Sequence, residues 1–358
     1  MATIRIRTNR LKKGMIIKAD VFNRSGVILV PANTEVTKEV YDLLTRHFID
    51  EVVIDYSTEP KETPLPIAPP SERGVSPQKL KEFTQTFQVA EESLSQNLRD
   101  IVEQDKDIDI QSMLNMVNSV ISKADSEVSL FDMLYSMKNS SESLFSHSIN
   151  VSLYAQMLGH WVDFTPEEIE VVSLAGLLHD IGHLKYPEEE QKNFSLHKEL
   201  HKRYHDKHPA LGYKVIQQKE VDFRIKQAVL THHERMDESG FPMGISFTNI
   251  NSISRVLAIA DTYATLTTEE PDSPAMSPFD VLKQFQNVEL SKFDSRYMMT
   301  FIERISQNFI QHDVLLTNGQ VGTIVMLNKT DLTKPLIQIG TYFMDLSIRN
   351  DVGIKKIL

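Results

Sequence analysis

The chain has 358 residues, of which 41% are hydrophobic and 24% are charged, and its formal net charge is −11. This composition is typical of a globular protein, and the acidic balance argues against a nucleic-acid polymer or an anionic lipid surface as the main partner. With no cysteine in the sequence, disulfides, thiolate catalysis and cysteine metal sites are excluded. The sequence contains neither a signal-peptide core nor a run of roughly 20 apolar residues, so we expect a cytoplasmic protein without membrane insertion.

Residues 1–58 are predicted to form a small α/β module. The β-branched runs GVILVPANTEV and DEVVIDY predict strands, and TKEVYDLLTRHF between them has helical spacing. Because the module has no glycine-rich phosphate loop and no receiver-type acidic cluster, we expect it to be regulatory or to contact a protein partner. Residues 59–78 are predicted to be an extended linker, since six of the fifteen prolines fall within residues 60–77.

Residues 79–122 are predicted to be connecting helices, because apolar residues recur there at steps of three and four, close to a heptad seam. Two interpretations of the seam are open: the helix packs on its own domain, or residues 79–104 form a homodimer contact. Helical patterns continue to about residue 311. In residues 312–358, apolar and polar residues then alternate around Asn318-Gly319, which predicts a hairpin with a two-residue turn. The predicted fold class is mainly α, an all-helical bundle with the N-terminal α/β module and a short C-terminal β-rich extension.

Several imidazole and carboxylate groups interrupt apolar helix patterns. His179 and Asp180 follow LAGLL, His232 and His233 follow IKQAVLT, and Asp261 lies inside RVLAIADTYATL. A buried carboxylate must be paired, protonated or bound to a metal, because an isolated buried charge is too costly. Each group alone has a plain structural explanation, but together they have the donor types of a hard or borderline metal. A helical bundle can direct such side chains inward from separate helices.

The motifs HDIGH, HHERMDESGFP and AIADTYATL resemble those of the HD-GYP family, a branch of the HD-domain metal-dependent phosphohydrolases. The resemblance covers roughly residues 120–311, and we set the predicted domain at residues 123–311. It implies an all-helical bundle that holds two or three metal ions. Some family members bind a third metal with a glutamate four residues before the first ligand histidine. That position is Ser143 here, so two divalent metals, iron or alternatively manganese, are expected.

The resemblance implies a metal-ligand set of seven residues, which are His147, His179, Asp180, His208, His232, His233 and Asp261. His147, His179 and Asp261 would bind one metal, and His208, His232 and His233 the other. Asp180 would bridge the two metals, because two neighbouring cations need an anion between them.

The implied chemistry is phosphodiester hydrolysis of cyclic di-GMP or a related cyclic nucleotide by a hydroxide that bridges both metals. Asp180 and His183 are the expected catalytic residues, and His183, Arg235 and Phe241 the expected substrate contacts.

The sequence departs from the family pattern at the substrate positions. Phe241 replaces the tyrosine of Gly-Tyr-Pro, and Glu238 stands where a glycine is usual. His183 replaces a lysine that faces phosphate, and Glu270 and Ser273 replace basic residues. Lost cations weaken phosphate binding, because charge-assisted contacts are the stronger ones. Three functions therefore stay open: a divergent phosphodiesterase, a degenerate signalling module that keeps the metals and acts through partners, and a hydrolase for another phosphorylated substrate.

A histidine stripe and Glu234 each have two interpretations. His197, His201 and His205 share one helical stripe, but the surrounding charges favour a solvated face over a zinc site. Glu234 either orients a ligand histidine or forms a salt bridge on a helix surface.

Overall fold

The computed structural model describes residues 3–8, 11, 14–22, 28–46, 49, 51–55, 75–137, 143–187, 206–269, 275–349 and 351–358. The chain divides into two compact units, residues 1–73 and residues 74–358, and each has its own hydrophobic core. The fold is mainly α, with small sheets towards both ends of the chain, as predicted. Among the described helices, none is long and apolar enough to cross a lipid bilayer.

The first unit is a small antiparallel sheet with a helix. Its elements are β1 (Thr3–Arg7), β2 (Ile16–Ile17), β3 (Val21–Phe22), β4 (Ile28–Val30), β5 (Thr34–Glu35), α1 (Lys38–Arg46) and β6 (Glu51–Asp55). Strands β1, β6, β2 and β5 form one sheet in that order, and β3 pairs with β4. Ile17, Leu44 and Ile54 are fully buried in the core of this unit. The α/β character predicted for the module is therefore confirmed.

The predicted proline-rich linker falls mostly on residues 56–74, which lie outside the described part of the chain. Helix α2 (Pro77–Glu103) begins two residues after this gap. Ser76 caps it by accepting a hydrogen bond from the Lys79 amide. Proline fits the first helical turn because the amide it lacks would have no acceptor within the helix.

Helix α2 buries the predicted heptad seam inside its own chain. The buried side chains are Phe83, Phe87, Ala90, Leu94, Leu98 and Ile101. They belong to the core of the second unit, where α2 contacts α3 (Ile110–Ile121), α4 (Glu127–Met137) and α5 (Leu144–Trp161). Packing on the chain's own domain accounts for these residues, and a homodimer through residues 79–104 stays a prediction.

Six α-helices follow α5 along the described part of the chain. They are α6 (Pro166–Leu178), α7 (His208–Ile216), α8 (Phe223–Thr231), α9 (Ser252–Leu266), α10 (Pro278–Gln284) and α11 (Ser295–Asn308). Helices α5 and α6 cross closely at Gly176, where an added Cβ would lie 2.5 Å from the Cα of Ser152. The Ser152 hydroxyl donates to the Ser173 carbonyl oxygen at 2.9 Å across the same crossing. This close packing fixes the positions of the side chains that α5 and α6 bring to the site.

A five-stranded antiparallel sheet forms the C-terminal extension. Its strands are β7 (Asp313–Leu316), β8 (Val321–Asn328), β9 (Asp331–Ile339), β10 (Tyr342–Asp345) and β11 (Ile354–Ile357), in the order β10-β9-β8-β7-β11. The β7–β8 hairpin turns at Asn318 and Gly319, but its loop covers residues 317–320 and is longer than the predicted two residues. Val314 and Ile324 lie in the same hydrophobic core as the helices. The boundaries of residues 79–122, 123–311 and 312–358 as separate domains stay a prediction.

His312 joins the sheet to α4 and gives a testable pH dependence. Its Nε2 lies 3.2 Å from Asp132 Oδ1, and although burial favours the neutral ring, this carboxylate raises the pKa of His312. Because the folded pKa exceeds the unfolded value of about 6.5, the stabilisation is complete below that pH. It is lost as the pH rises through the folded pKa. We expect the melting temperature of His312→Gln to fall less than that of the wild type above pH 6.5.

The control for this experiment is His160→Gln, since His160 is exposed at the end of α5. Glu269, Lys355 and Lys356 line the same cavity, of about 640 Å³, as His312. These charges affect the absolute pH profile, so the comparison is between variants. Identical profiles for His312→Gln and the wild type would contradict the prediction.

Candidate metal centre

Helix α6 carries two predicted ligands at its C-terminal end. The helix starts with a capping box at Thr165 and ends at Leu178, directly before His179. His179 Nδ1 lies 2.8 Å from the Gly176 carbonyl oxygen. Since a carbonyl oxygen only accepts, Nδ1 is the donor and Nε2 faces the site, which is the usual arrangement of a metal-binding histidine. Asp180 follows and is 4% exposed.

The glycine of HDIG lets a further histidine approach Asp180. A Cβ on Gly182 would lie 2.0 Å from the His208 carbonyl oxygen and 2.6 Å from the Gly212 amide nitrogen, so only glycine fits. His208 is the first residue of α7 and is fully buried. Its Nε2 lies 3.1 Å from Asp180 Oδ1. Gly182 therefore sets the position of His208.

The consecutive histidines lie just beyond α8. His232 Nδ1 lies 2.9 Å from the Val229 carbonyl oxygen, so its Nε2 also faces the site. That Nε2 is 3.0 Å from His208 Nε2. His233 Nδ1 lies 3.7 Å from Asp261 Oδ2. The pair thus faces donors from two other helices.

Helices α5 and α9 complete the centre. His147 Nε2 lies 3.1 Å from Asp261 Oδ1, and both side chains are buried. His147 is one turn into α5, whose N-cap is Ser143. The Ser143 hydroxyl also donates to Glu91 of α2. The position at which some relatives carry a glutamate ligand is therefore a helix cap in this chain.

All seven predicted ligands come together in two adjacent groups. The donor atoms of each group lie within 4.8 Å of one another, and the groups are Asp180, His208, His232, His233 and His147, His179, Asp261. Asp180 lies between them: its Oδ1 is 3.1 Å from His208 Nε2 and 3.7 Å from His232 Nε2. Its Oδ2 is 3.3 Å from His179 Nε2 and 3.9 Å from His147 Nε2. The sequence-based partition agrees with this geometry, and the ligand roles themselves stay a prediction.

The electrostatics of the site favour a cation. Burial works against ionised Asp180 and Asp261, but the neighbouring histidines hold the pKa of each carboxyl below its usual range. Burial also works against protonated His179, yet the two carboxylates raise its pKa to about 9. Burial and the nearby His179 and His208 keep the pKa of His232 well below its usual value. The carboxylates thus attract positive charge, which a divalent cation would supply in place of the His179 proton.

The donor atoms themselves fit a metal. His179 Nε2 is buried and makes no hydrogen bond of good geometry, although it lies near Asp180. A buried polar atom without a hydrogen bond is destabilising unless another partner compensates, and a coordinated cation would do so. Imidazole and carboxylate donors without sulfur suit iron, manganese or zinc. In chemistry and geometry, these residues could therefore hold divalent metal ions.

Two predicted substrate residues border this centre. The His183 ring stacks on His208 with a centroid separation of 4.2 Å, and its Nε2 lies 3.7 Å from Asp180 Oδ1. The Phe241 ring stacks on His233 with a centroid separation of 4.5 Å. Both side chains therefore contact predicted ligands directly.

Arg235 has a different position from the one expected of a phosphate contact. Its Nη1 donates to the carbonyl oxygens of His232 and Glu234, at 3.1 Å and 3.0 Å. Its guanidinium also lies 4.9 Å from the centroid of the Phe293 ring. These contacts hold the backbone beside His232, so Arg235 positions a predicted ligand. Its direct contact with substrate stays a prediction.

Of the other substrate positions at which the sequence departs from the family pattern, some lie in the described part of the chain and others do not. Glu238, at the usual glycine position, has a φ of 64°, so the backbone keeps the left-handed conformation that glycine adopts readily. Gly240 is required by close approach, since a Cβ there would lie 2.4 Å from the His233 carbonyl oxygen. Glu270 and Ser273 lie outside the described residues, as do His197, His201 and His205.

Neither interpretation of Glu234 was right. The side chain is 2% exposed, and its two carboxylate oxygens accept hydrogen bonds from the amides of Met243 and Ile245. It therefore ties the loop after Gly-Phe-Pro to the ligand histidines and forms neither a histidine contact nor a surface salt bridge. Sequence reasoning missed this role because both acceptor bonds go to backbone amides, which carry no sequence signal.

Replacing Glu234 with alanine should destabilise the protein by about 2–4 kcal/mol, because two partly buried hydrogen bonds from backbone amides to a buried charged acceptor are lost. Chemical denaturation would measure the free energy of unfolding. The matched control is Glu303→Ala on the exposed face of α11, for which we expect a change within about 0.5 kcal/mol. Equal losses in the two variants would contradict the role given to Glu234.

Comparison with known proteins gives the family. The HD domain family matches residues 129–297. The fold resembles that of Bd1817, described as a HDG"Y"P protein from Bdellovibrio bacteriovorus, with a TM-score of 0.53, 14% identity, and coverage of 85% of this chain and 99% of that one. Residues 129–297 thus match an HD domain, and the motifs and the fold support a member of the HD-GYP family.

Curated relatives of this HD-GYP domain have names that state their substrates. Cyclic di-GMP phosphodiesterase PA4108 of Pseudomonas aeruginosa is 23% identical over 207 residues, which cover 58% of this chain and 50% of that protein. The 3'3'-cGAMP-specific phosphodiesterase 1 of Vibrio cholerae is 33% identical over 183 residues, which cover 48% of this chain and 40% of that protein. The chain thus spans about half the length, or less, of these relatives.

Proposed function

We propose that the HD-GYP domain hydrolyses a phosphodiester bond of cyclic di-GMP or a related cyclic dinucleotide with the help of two divalent cations. The observation that carries this proposal is the pair of buried donor groups with Asp180 between them. The names of the relatives support it, because they describe phosphodiesterases for cyclic di-GMP and for 3'3'-cGAMP.

Different residues of the chain would hold the two cations. His147, His179 and Asp261 would hold one cation, His208, His232 and His233 the other, and Asp180 both. Bound cations supply Lewis acidity and lower the pKa of water towards neutrality. Iron or manganese fits these donors, and the excess of imidazole over carboxylate favours iron.

Substrate binding would rely strongly on these cations. Arg235 already donates to two backbone carbonyl oxygens, and Phe241 offers a ring face but no hydroxyl. The phosphate groups of a cyclic dinucleotide need positive charge, which the metal centre provides. We therefore expect removal of metal to weaken substrate binding as well as to stop turnover.

The test uses the full chain, stripped with a chelator and reloaded with Fe²⁺ under anaerobic conditions or with Mn²⁺. Cyclic di-GMP and 3'3'-cGAMP are incubated with each form, and products are separated by chromatography. We expect linear dinucleotide or mononucleotide from the reloaded protein and none from the stripped protein. The absence of product from either reloaded form over several hours would contradict the proposal.

An alternative is a signalling module that keeps the metals, binds nucleotide and acts through protein partners of the N-terminal module. It is favoured by Phe241 and by the involvement of Arg235 in backbone contacts. Nucleotide binding without hydrolysis by the reloaded protein would support this alternative, whereas rapid turnover would exclude it. A cytoplasmic location stays a prediction.

A further inference from the structure

His183 lies where its ring can reach the metal centre. It belongs to the short helix Ile181–Lys185 that follows Asp180 directly, and its amide donates to the Asp180 carbonyl oxygen at 2.9 Å. This turn places the imidazole on the same side as the Asp180 carboxylate. Its side chain is 14% exposed, so it lies at the border between the buried donors and solvent.

The distances around one carboxylate oxygen are those of atoms that share a cation. Asp180 Oδ1 is 3.7 Å from His183 Nε2, 3.1 Å from His208 Nε2 and 3.7 Å from His232 Nε2. Donors bound at about 2.1 Å in an octahedral arrangement lie about 3.0 Å apart when adjacent and about 4.2 Å apart when opposite. The three separations fall within this range.

The ring contacts of His183 hold it in this orientation. It stacks on His208 at an interplanar angle of 21°, and the Tyr186 ring meets it edge-on with a centroid separation of 5.4 Å. A lysine at this position would carry a positive charge at neutral pH and could not donate a lone pair to a metal. A neutral imidazole can do so.

We infer that His183 is an additional imidazole ligand of the cation held by His208, His232 and His233. The inference rests on the proposed metal centre, and it replaces the phosphate contact that the family pattern suggests for this position. One more nitrogen donor should shift metal preference towards ions that favour imidazole, such as iron and cobalt, and away from manganese, which favours oxygen donors.

The test titrates the chelator-treated full chain with Co²⁺, by calorimetry and by the visible absorption of the bound ion, and in parallel with Mn²⁺. The variants are His183→Gln and His183→Lys, and the control is His160→Gln, because His160 is exposed on α5. We expect at least about tenfold weaker Co²⁺ binding at one site and an altered absorption spectrum in both variants at position 183. Mn²⁺ affinity should change less, and His160→Gln should behave as the wild type. Melting curves of the metal-free proteins check that each variant is folded.

Unchanged Co²⁺ affinity and spectrum in folded His183→Gln and His183→Lys would overturn the inference. If these variants also raise KM for the cyclic dinucleotide, His183 contacts substrate instead. A wild-type protein that binds two Co²⁺ ions, one of them dependent on His183, but turns over no nucleotide would support the inference and contradict only the proposed function. A wild-type protein that binds no cation would contradict both.

Discussion

If the proposed function is right, the Asp180→Asn variant is expected to lose bound cations and to hydrolyse cyclic di-GMP on the order of a thousandfold more slowly, since Lewis-acid stabilisation is worth several kcal/mol. Asparagine has almost the same shape but is neutral, so the change removes charge rather than volume. The carboxylate oxygens of Asp180 lie within 4 Å of two histidines from each donor group, which are His147 and His179 in one and His208 and His232 in the other. Elemental analysis of metal per chain and product formation from cyclic di-GMP measure the two effects.

The matched control for this variant is Asp206→Asn. Asp206 lies two residues before His208 but is exposed, so its charge is screened by water. We expect this control to keep wild-type metal content and turnover. An Asp180→Asn protein that keeps two cations per chain would show that this carboxylate does not join the two groups.

The Gly182→Ala variant is expected to lower the free energy of unfolding by about 3 kcal/mol, since overpacking beside rigid backbone allows little relaxation. The added Cβ would meet the backbone of His208 and Gly212, and neither can rotate away as a flexible side chain could. The start of α7 must therefore move, which displaces His208 from Asp180. We expect weaker binding of one cation in addition to the lower stability.

Chemical denaturation and metal titration of the same preparation separate these two effects. The control is Gly353→Ala, because a Cβ there would meet only Thr317 Cγ2, at 3.9 Å. Its stability should stay within about 0.5 kcal/mol of the wild type. If Gly182→Ala were equally stable and bound metal normally, the close approach of the two segments could not be what positions His208.

The identity of the seven candidate ligands could be predicted from the sequence because polar groups inside apolar helices carry a strong signal. His179, Asp180 and Asp261 each follow or interrupt an apolar run, and all three are buried as expected. The signal was weaker for Glu234, whose partners are backbone amides. For Arg235, which follows the candidate ligand histidines, the sequence did not indicate the hydrogen bonds to backbone carbonyl oxygens, and the predicted substrate contact stays a prediction. Contacts to the backbone leave no pattern in residue types.

The packing partners of individual elements also could not be predicted from the sequence. The seam of α2 has a spacing that suits a dimer or an intramolecular contact, and only the structure shows that the seam is buried in the core of the second unit. The alternation after His312 predicted strands, but not that Val314 and Ile324 would join the core of the helices. The periodicity of apolar residues indicates which face of a helix or strand is apolar, but it does not indicate what packs against that face.

The sequence by itself determined the fold class, the family resemblance and the choice of candidate ligands, because each depends on residue type and local spacing. Tertiary structure alone decided how these residues meet: which Asp180 oxygen faces which histidines, why Gly182 must be glycine, and that His183 turns towards Asp180. The physical reason is distance along the chain. His147 and Asp261 are 114 residues apart, and only the packing of α5 against α9 brings their side chains within 3.1 Å.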